Sequence, residues 1–295
     1  MKLTLDQLQK IKTSSSFDFC LYALHYLQNF IKTAPAKDME SLLLGLNQQG
    51  RAIIKMQPNM ANLKKKIAVV IYILKKAMKT KKTNAEIKNY TLTKIHELLD
   101  TADQKRTKIA IAGSKLITPN AKIVTIGNSG LISEILITAF KQKRKFEVYC
   151  LESAPTREGT SQAETLAHKG IQCFLATDGS MGTLLHQASL VMAGAVRIYE
   201  DGFINKIGTL PLAISAQVMK IPFYLASETD KILTEREYAV RFYKRDSAEI
   251  YVPRSRKIKI FNVHYESIPL TMITKFITED GVFDLVEFRN WYLKE

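Results

Sequence analysis

At 295 residues the chain can bury a proper core and suits one large or two ordinary domains. Its net charge of +15 points toward acidic partners, while the widely separated Cys20, Cys150 and Cys173 form no metal-ligand spacing, so no metal site or cofactor is expected. No run approaches membrane-spanning length and no apolar signal segment opens the chain, which leads to the expectation of a cytoplasmic protein without membrane attachment.

The charge is uneven. Residues 1–120 hold 21 Lys and Arg against 8 Asp and Glu, whereas residues 121–295 hold 22 against 20. The break places a domain boundary near residue 120. The first part reads as helices. Residues 7–12 and 17–32 carry apolar side chains at spacings of three and four, with Phe17, Leu21, Leu24, Leu27 and Ile31 on one side. Residues 62–79 repeat the pattern through Leu63, Ile67, Val70, Ile71, Leu74 and Met78. Lys64, Lys65, Lys75, Lys76 and Lys79 decorate the other faces, and Lys81 and Lys82 extend the charge. Such a face is ordinarily solvated, but it also suits RNA or an acidic protein. Without aromatic residues interleaved for base stacking, direct nucleic-acid recognition is the weaker reading.

The second part alternates. Strand-like runs at 122–126, 146–151, 171–176, 189–193 and 222–226 are separated by helix-like segments, the pattern of parallel strands with helices on both faces. The fold class expected is therefore α/β, with a helical domain over 1–120 and a Rossmann-like parallel sheet over 121–295. Residues 241–259, with seven basic side chains, read as a long exposed excursion that bears a strand.

Glycine-bearing turns follow the strands. Gly127-Asn128-Ser129-Gly130 closes the run 123–126 and precedes a helical pattern with Leu131, Ile135, Leu136 and Ala139. Strand, turn and helix together aim backbone N–H groups and a positive dipole end at one point, and Ser129 adds a hydroxyl. The construction recurs at residues 179–183 and 206–209, where Lys206 supplies a point charge. Any one of these alone reads as an ordinary turn with capping Ser or Thr. Asp178, flanked by Gly179 and Gly182, reads equally as a ligand-hydroxyl or acid–base group and as loop structure; Glu152 reads as loop structure. Cys150 and Cys173 sit in strand-like runs, where a buried inert thiol is the default.

The order of these motifs carries a resemblance. Lys122-Ile-Val-Thr-Ile126, Gly127-Asn128-Ser129-Gly130, Glu152-Ser153-Ala154-Pro155, Thr177-Asp178-Gly179-Ser180-Met181-Gly182, Gly194-Ala195-Val196, Asn205-Lys206-Ile207-Gly208-Thr209 and Phe223-Tyr224-Leu225-Ala226-Ser227-Glu228 follow one another in turn. The set resembles the family of translation initiation factor 2B alpha, beta and delta subunits, whose relatives include ribose-1,5-bisphosphate and methylthioribose-1-phosphate isomerases. It covers residues 122–281, and Asn205-Lys206-Ile207-Gly208-Thr209 is alpha-like. Before residue 122 the likeness is loose, mainly Gln57-Pro58-Asn59-Met60-Ala61.

The resemblance implies a phosphorylated sugar or nucleotide held by Gly127, Asn128, Ser129, Gly130, Asp178, Gly182, Asn205 and Lys206. It also implies a homodimer formed through the second domain, and contact with the alpha subunit of initiation factor 2. The isomerase pattern has a cysteine where this chain has Gly127, an aspartate where it has Val196, and a histidine where it has Ile126. Moving a proton between sugar carbons needs groups that give and take it, and these three cannot. Ala154 replaces a frequent arginine, and the segment between Gly194 and Asn205 is one residue shorter than the family pattern. A non-catalytic regulatory member is the expectation. The rivals are an isomerase using displaced groups such as Asp178 or Asp201, and a structural partner with a vestigial pocket.

Overall fold

A computed structural model describes residues 4–10, 15–35, 38–233 and 244–292. The chain divides into two compact units, Met1–Lys105 and Arg106–Glu295.

The first unit is helical, with α1 (Leu5–Lys10), α2 (Ser16–Thr33), α3 (Met39–Met56), α4 (Ala61–Met78) and the larger part of α5 (Asn84–Ser114). Side chains satisfy the amide groups that open these helices. The Ser15 hydroxyl accepts from the Asp18 N–H at 3.1 Å, and the Asp38 carboxylate accepts from Glu40 at 2.9 Å and Ser41 at 3.1 Å. Thr83 and Glu86 bond each other's backbone reciprocally ahead of α5. Leu24, Leu27 and Ile31 of α2, Leu42, Leu46 and Ile53 of α3, and Leu63, Ile67 and Leu74 of α4 are buried.

The helices expected at 17–32 and 62–79 are α2 and α4, each within about a residue. The one expected at 7–12 begins earlier, as α1, and residues 11–12 lie outside the described residues. Helices α3 and α5 escape the pattern. Buried Met39, Leu42, Leu46, Gly50 and Ile53 form the inner stripe of α3, with glycine rather than a large apolar side chain at 50, and α5 is polar over much of its circumference. Gly50 marks a close approach, since a Cβ there would lie 2.7 Å from Ile67 Cγ2.

The second unit is built on a seven-stranded sheet in the order β10-β9-β7-β4-β1-β2-β3. Its strands are β1 (Ala121–Ile126), β2 (Phe146–Leu151), β3 (Cys173–Ala176), β4 (Leu190–Gly194), β7 (Phe223–Ala226), β9 (Lys275–Thr278) and β10 (Gly281–Phe283). All pair parallel except β10 with β9. A second, antiparallel sheet joins β5 (Arg197–Tyr199), β6 (Gly202–Lys206) and β8 (Tyr265–Pro269). The helices are α6 (Gly130–Lys141), α7 (Glu158–Ala167), α8 (Met181–Leu185), α9 (Thr209–Val218) and α10 (Leu285–Tyr292). Val124 and Ile126 of β1, Val191 of β4, Leu212 and Ala216 of α9, Phe203 of β6 and Phe288 of α10 share one buried core.

The five expected strands are β1, β2, β3, β4 and β7, with β3 starting at Cys173 rather than residue 171. The short strands β5, β6 and β8 were not visible as alternation. The chain turns from helices to alternating elements at β1, but the compact division falls earlier, inside α5. The last turns of that helix belong with the sheet: Arg106 reaches Glu134 of α6 at 2.7 Å, and a Cβ on Gly113 would lie 2.6 Å from Ile135. In the basic excursion, residues 241–243 lie outside the described residues. From Lys244 to His264 no strand occurs among the described residues, only a short 3-10 turn at Ser247–Glu249. Asn262 ties that turn down, donating to the Asp246 carbonyl at 2.7 Å and to Glu249 at 2.8 Å.

The strand order positions a site. From β1 the chain builds outward to β2 and β3, then returns to the other side of β1 as β4. This reversal opens a crevice between the carboxyl ends of β1 and β4. Helix α7 starts hard against the end of β2, because a Cβ on Gly159 would lie 1.7 Å from the Leu151 carbonyl oxygen, whereas nothing lies within 4 Å of one on Gly179. Gly159→Ala is expected to lower the unfolding free energy in urea by about 1–3 kcal/mol or more, and Gly179→Ala to leave it within about 0.5 kcal/mol.

Candidate functional site

The crevice is assembled by backbone groups and short polar side chains. Gly127 leaves β1 with φ of 78°, in the left-handed region that glycine adopts freely. Its N–H donates to the Ser153 hydroxyl at 2.8 Å. Ser153 itself has φ of 62°, held there by Asp178, whose two carboxylate oxygens accept the N–H groups of Ser153 at 2.8 Å and Ala154 at 2.7 Å. Ser129 caps α6, and its N–H donates to Gln162 at 2.7 Å. Gln162 is wholly buried and donates in turn to Ser133 at 3.0 Å. Across the crevice Gly194 leaves room for Ser129, since a Cβ there would lie 2.5 Å from its hydroxyl oxygen.

Lys206 arrives from β6. A Cβ on Gly127 would lie 3.6 Å from the Cβ of Lys206, which puts the lysine beside the turn. Its ammonium group, 3% exposed, donates to the Glu158 carboxylate at 2.9 Å and lies 5.6 Å from the centre of the Tyr265 ring. Burial, with Glu158 nearby, pushes the Tyr265 hydroxyl well above its ordinary range, so it stays protonated.

The structure thus brings together Gly127, Ser129, Gly130 and Lys206, with half-buried Asn128 between them, and ties Asp178 in through Ser153. Gly182 lies on the short helix α8 with open space where a Cβ would stand, and Asn205 precedes Lys206 on β6. Asn205 is buried and donates to Thr209 at 3.1 Å, bracing the start of α9. That helix start, expected to receive an anion, already holds one from the chain. Glu266 accepts the Leu210 N–H at 2.9 Å. Burial raises its carboxyl above the usual range, against the N–H groups of Leu210, Gly208 and Thr209 that favour ionisation.

Sequence reasoning missed Ser153, Glu158, Gln162 and Glu266. Their only signal was position: Glu158 precedes a glycine forced by close approach, and Gln162 lies one helical turn later. Among the described residues no group of three or more His, Cys, Asp or Glu could hold a metal ion, and no helix is long and apolar enough to cross a membrane.

A family model described as the initiation factor 2 subunit family matches residues 12–285. The chain belongs to this family. A Pyrococcus furiosus protein, provisionally named translation initiation factor eIF-2B subunit 2-like, is 32% identical over 257 residues, 86% of each chain. The ribose 1,5-bisphosphate isomerase of Methanocaldococcus jannaschii is 25% identical over 255 residues, 85% of this chain and 80% of that one. The crystal structure of translation initiation factor eIF-2B from Pyrococcus horikoshii OT3 matches with a TM-score of 0.79 and 25% identity, covering 95% of this chain and 97% of that one. The initiation factor 2 subunit family therefore holds both eIF-2B-like subunits and sugar-phosphate isomerases.

Within the initiation factor 2 subunit family, this chain's departures have definite places. Gly127, expected to stand at the isomerase pattern's cysteine, is left-handed; Val196, expected to stand at its aspartate, is buried, and its N–H donates to the Ile204 carbonyl at 2.9 Å. The preceding carbonyl, of Ala195, accepts from buried Lys231 at 2.9 Å. Asp178, the fallback acid–base group, spends both oxygens on backbone N–H groups. Asp201 lies exposed at the tip of the β5–β6 hairpin, whose two-residue turn Glu200-Asp201 closes the shortened segment. Arg157 is 68% exposed and faces Glu152 at 3.5 Å.

His264 borders the same cluster and anchors the excursion, lying 2.6 Å from Glu249. Burial holds its imidazole below the ordinary value; Glu249 opposes this, and Lys206 and Arg245 reinforce it. For Glu249, burial pushes upward, but the bonds from His264 and Asn262, with Arg245 beside them, bring the net shift below the usual carboxylate range. Both depressed groups carry the same sign: the unfolded segment takes up protons before the folded one, so stability is lost as pH falls. Amide protection over residues 244–264 is expected to drop between about pH 7.5 and pH 5.5 once intrinsic rates are removed, spanning the ordinary histidine range near about 6.5. His264→Gln should flatten that dependence, and hydrogen exchange by mass spectrometry measures both.

Proposed function

We propose that this chain is a non-catalytic, initiation-factor-2B-like regulatory subunit. In this reading it binds a phosphorylated sugar or nucleotide at the crevice between β1 and β4, forms a homodimer, and contacts the alpha subunit of initiation factor 2. One observation carries the first part. At the two positions where the isomerase pattern needs titrating side chains stand Gly127 and Val196, and the nearest fallback carboxylate, Asp178, is engaged by Ser153 and Ala154. The amino terminus of α6, a 12-residue helix opening at the Gly127 turn, supports the anion site.

The first unit supports the partner. Leu43, Tyr72 and Met78 with Lys75, Lys76 and Lys79 line a groove of about 440 Å³, and Tyr72 is 62% exposed. An apolar floor rimmed by lysines suits an acidic amphipathic segment. For the dimer, the support is Val252 and Phe261 of the excursion, 70% and 74% exposed.

Three outcomes test this reading. Purified protein is expected to convert neither ribose-1,5-bisphosphate nor methylthioribose-1-phosphate to its ketose, because a missing acid–base group typically forfeits about a hundredfold to ten-thousandfold; turnover at ordinary rates, abolished by Asp178→Asn, would install the isomerase reading instead. The double change Gly127→Cys with Val196→Asp is expected not to restore activity, since residue 127 must keep a left-handed backbone and misplacement of about 1 Å can cost a hundredfold. Reversing Lys65, Lys76 and Lys79 to Glu should weaken salt-sensitive capture of initiation factor 2 by about tenfold or more, and unchanged capture would leave these lysines a solvated face.

A further inference from the structure

The lysine best placed to meet a phosphate already has an anion. Lys206 and Glu158 form an ion pair at 2.9 Å, with side chains only 3% and 17% exposed. Tyr265 covers the ammonium on another side. A phosphate group reaching Lys206 therefore meets the Glu158 carboxylate at close range, where like charges repel and water screens them poorly. Glu158 is also the first residue of α7, one position before Gly159, whose own N–H bonds the Glu152 carbonyl at 3.1 Å. The carboxylate thus starts from a backbone held at the helix start.

We infer that Glu158 is a built-in competitor for Lys206 and sets the charge the crevice accepts. A phosphorylated ligand gains the lysine only by displacing Glu158, so binding is weakened and coupled to movement in the first turn of α7. This inference rests on the phosphate-ligand reading above and adds a specificity-determining residue to it. Glu158→Gln keeps the size and a hydrogen-bond acceptor for the lysine while removing the charge.

The test uses the full chain, with inorganic phosphate and ribose 5-phosphate as probes in calorimetry. Glu158→Gln is expected to bind both about tenfold or more tightly than the unaltered protein, as removal of a like charge predicts. Adding Lys206→Met should erase the gain. Equal or weaker binding by Glu158→Gln, alongside measurable binding by the unaltered protein, overturns the inference and leaves the ligand reading intact. A gain that survives Lys206→Met places the anion elsewhere and also overturns it. No binding of either probe by either protein removes both readings.

A measurement on the unaltered protein needs no variant. Saturating phosphate is expected to speed amide exchange over residues 157–160 by about tenfold as Glu158 leaves the lysine. Phosphate binding without that change overturns the displacement.

Discussion

The site depends on how the ends of three parallel strands are tied together. A parallel sheet delivers its carboxyl ends to one edge, where each chain must turn away and leave backbone N–H groups to be satisfied. Asp178, just past β3, takes the N–H groups of Ser153 and Ala154 past β2. The Ser153 hydroxyl then takes the N–H of Gly127 past β1. This relay fixes a left-handed residue at 153 and another at 127, and with them the direction in which α6 starts. Gln162 completes it by taking the Ser129 N–H from α7. Every group in the chain of bonds has a partner, so the loops at the crevice are set by hydrogen bonding rather than by apolar packing.

The same requirement explains the electrostatics. Residues 121–295 carry 22 basic and 20 acidic side chains, and around the crevice the two signs meet inside the protein. Glu266 fills the start of α9, Glu158 meets Lys206, Asp178 meets backbone amides, and Lys231 bonds the Ala195 carbonyl. Buried charge is tolerated only when paired, and these pairs leave the α6 end of the crevice as the part not built around an internal carboxylate. The excess positive charge of residues 1–120 lies on lysines of α4 and its neighbours instead, where it is solvated or open to a partner. Charge in one unit closes a site; in the other it decorates a surface.

What could be read from the sequence follows from where the physical signal is local. Strands β1, β2, β4 and β7 are short, mostly apolar runs buried except at Lys122, Glu147 and Tyr224, and α2 and α4 show an unbroken stripe, so all six were legible. Strands β5 and β10, of three residues each, are too short to display a period. Helix α3 carries Gly50 within its inner stripe and Gly45 beside it, and the value of the two glycines lies in contacts with Ile67 and Phe30 distant in sequence. The glycine turn at 127–130 was visible because strand, turn and helix are contiguous. Glu158 and Gln162 were not, because what they do is defined only by Lys206 and Ser129, 48 and 33 residues away. Asp178 was visible as a residue but not as a role: a strand-end carboxylate between glycines has the same sequence whether it faces a ligand or the backbone of the next loop.

Residues 127 and 196 show how a turn can hold its shape independently of the side chain it carries. Their structural duties are discharged by main-chain atoms. Gly127 donates its N–H to Ser153, and Val196 donates its own to Ile204 within the small sheet. Neither bond uses the side chain of residue 127 or 196 itself, so the turn and the hairpin keep their shape whatever those side chains are. Position 127 suits glycine, since a left-handed backbone costs a side-chain-bearing residue and not glycine. Architecture in this fold is thus written in backbone hydrogen bonds and close approaches such as that of Gly159 to Leu151, while chemistry is written in side chains hung on the same turns. The two can be changed independently, so a shared frame does not by itself fix the chemistry carried on it.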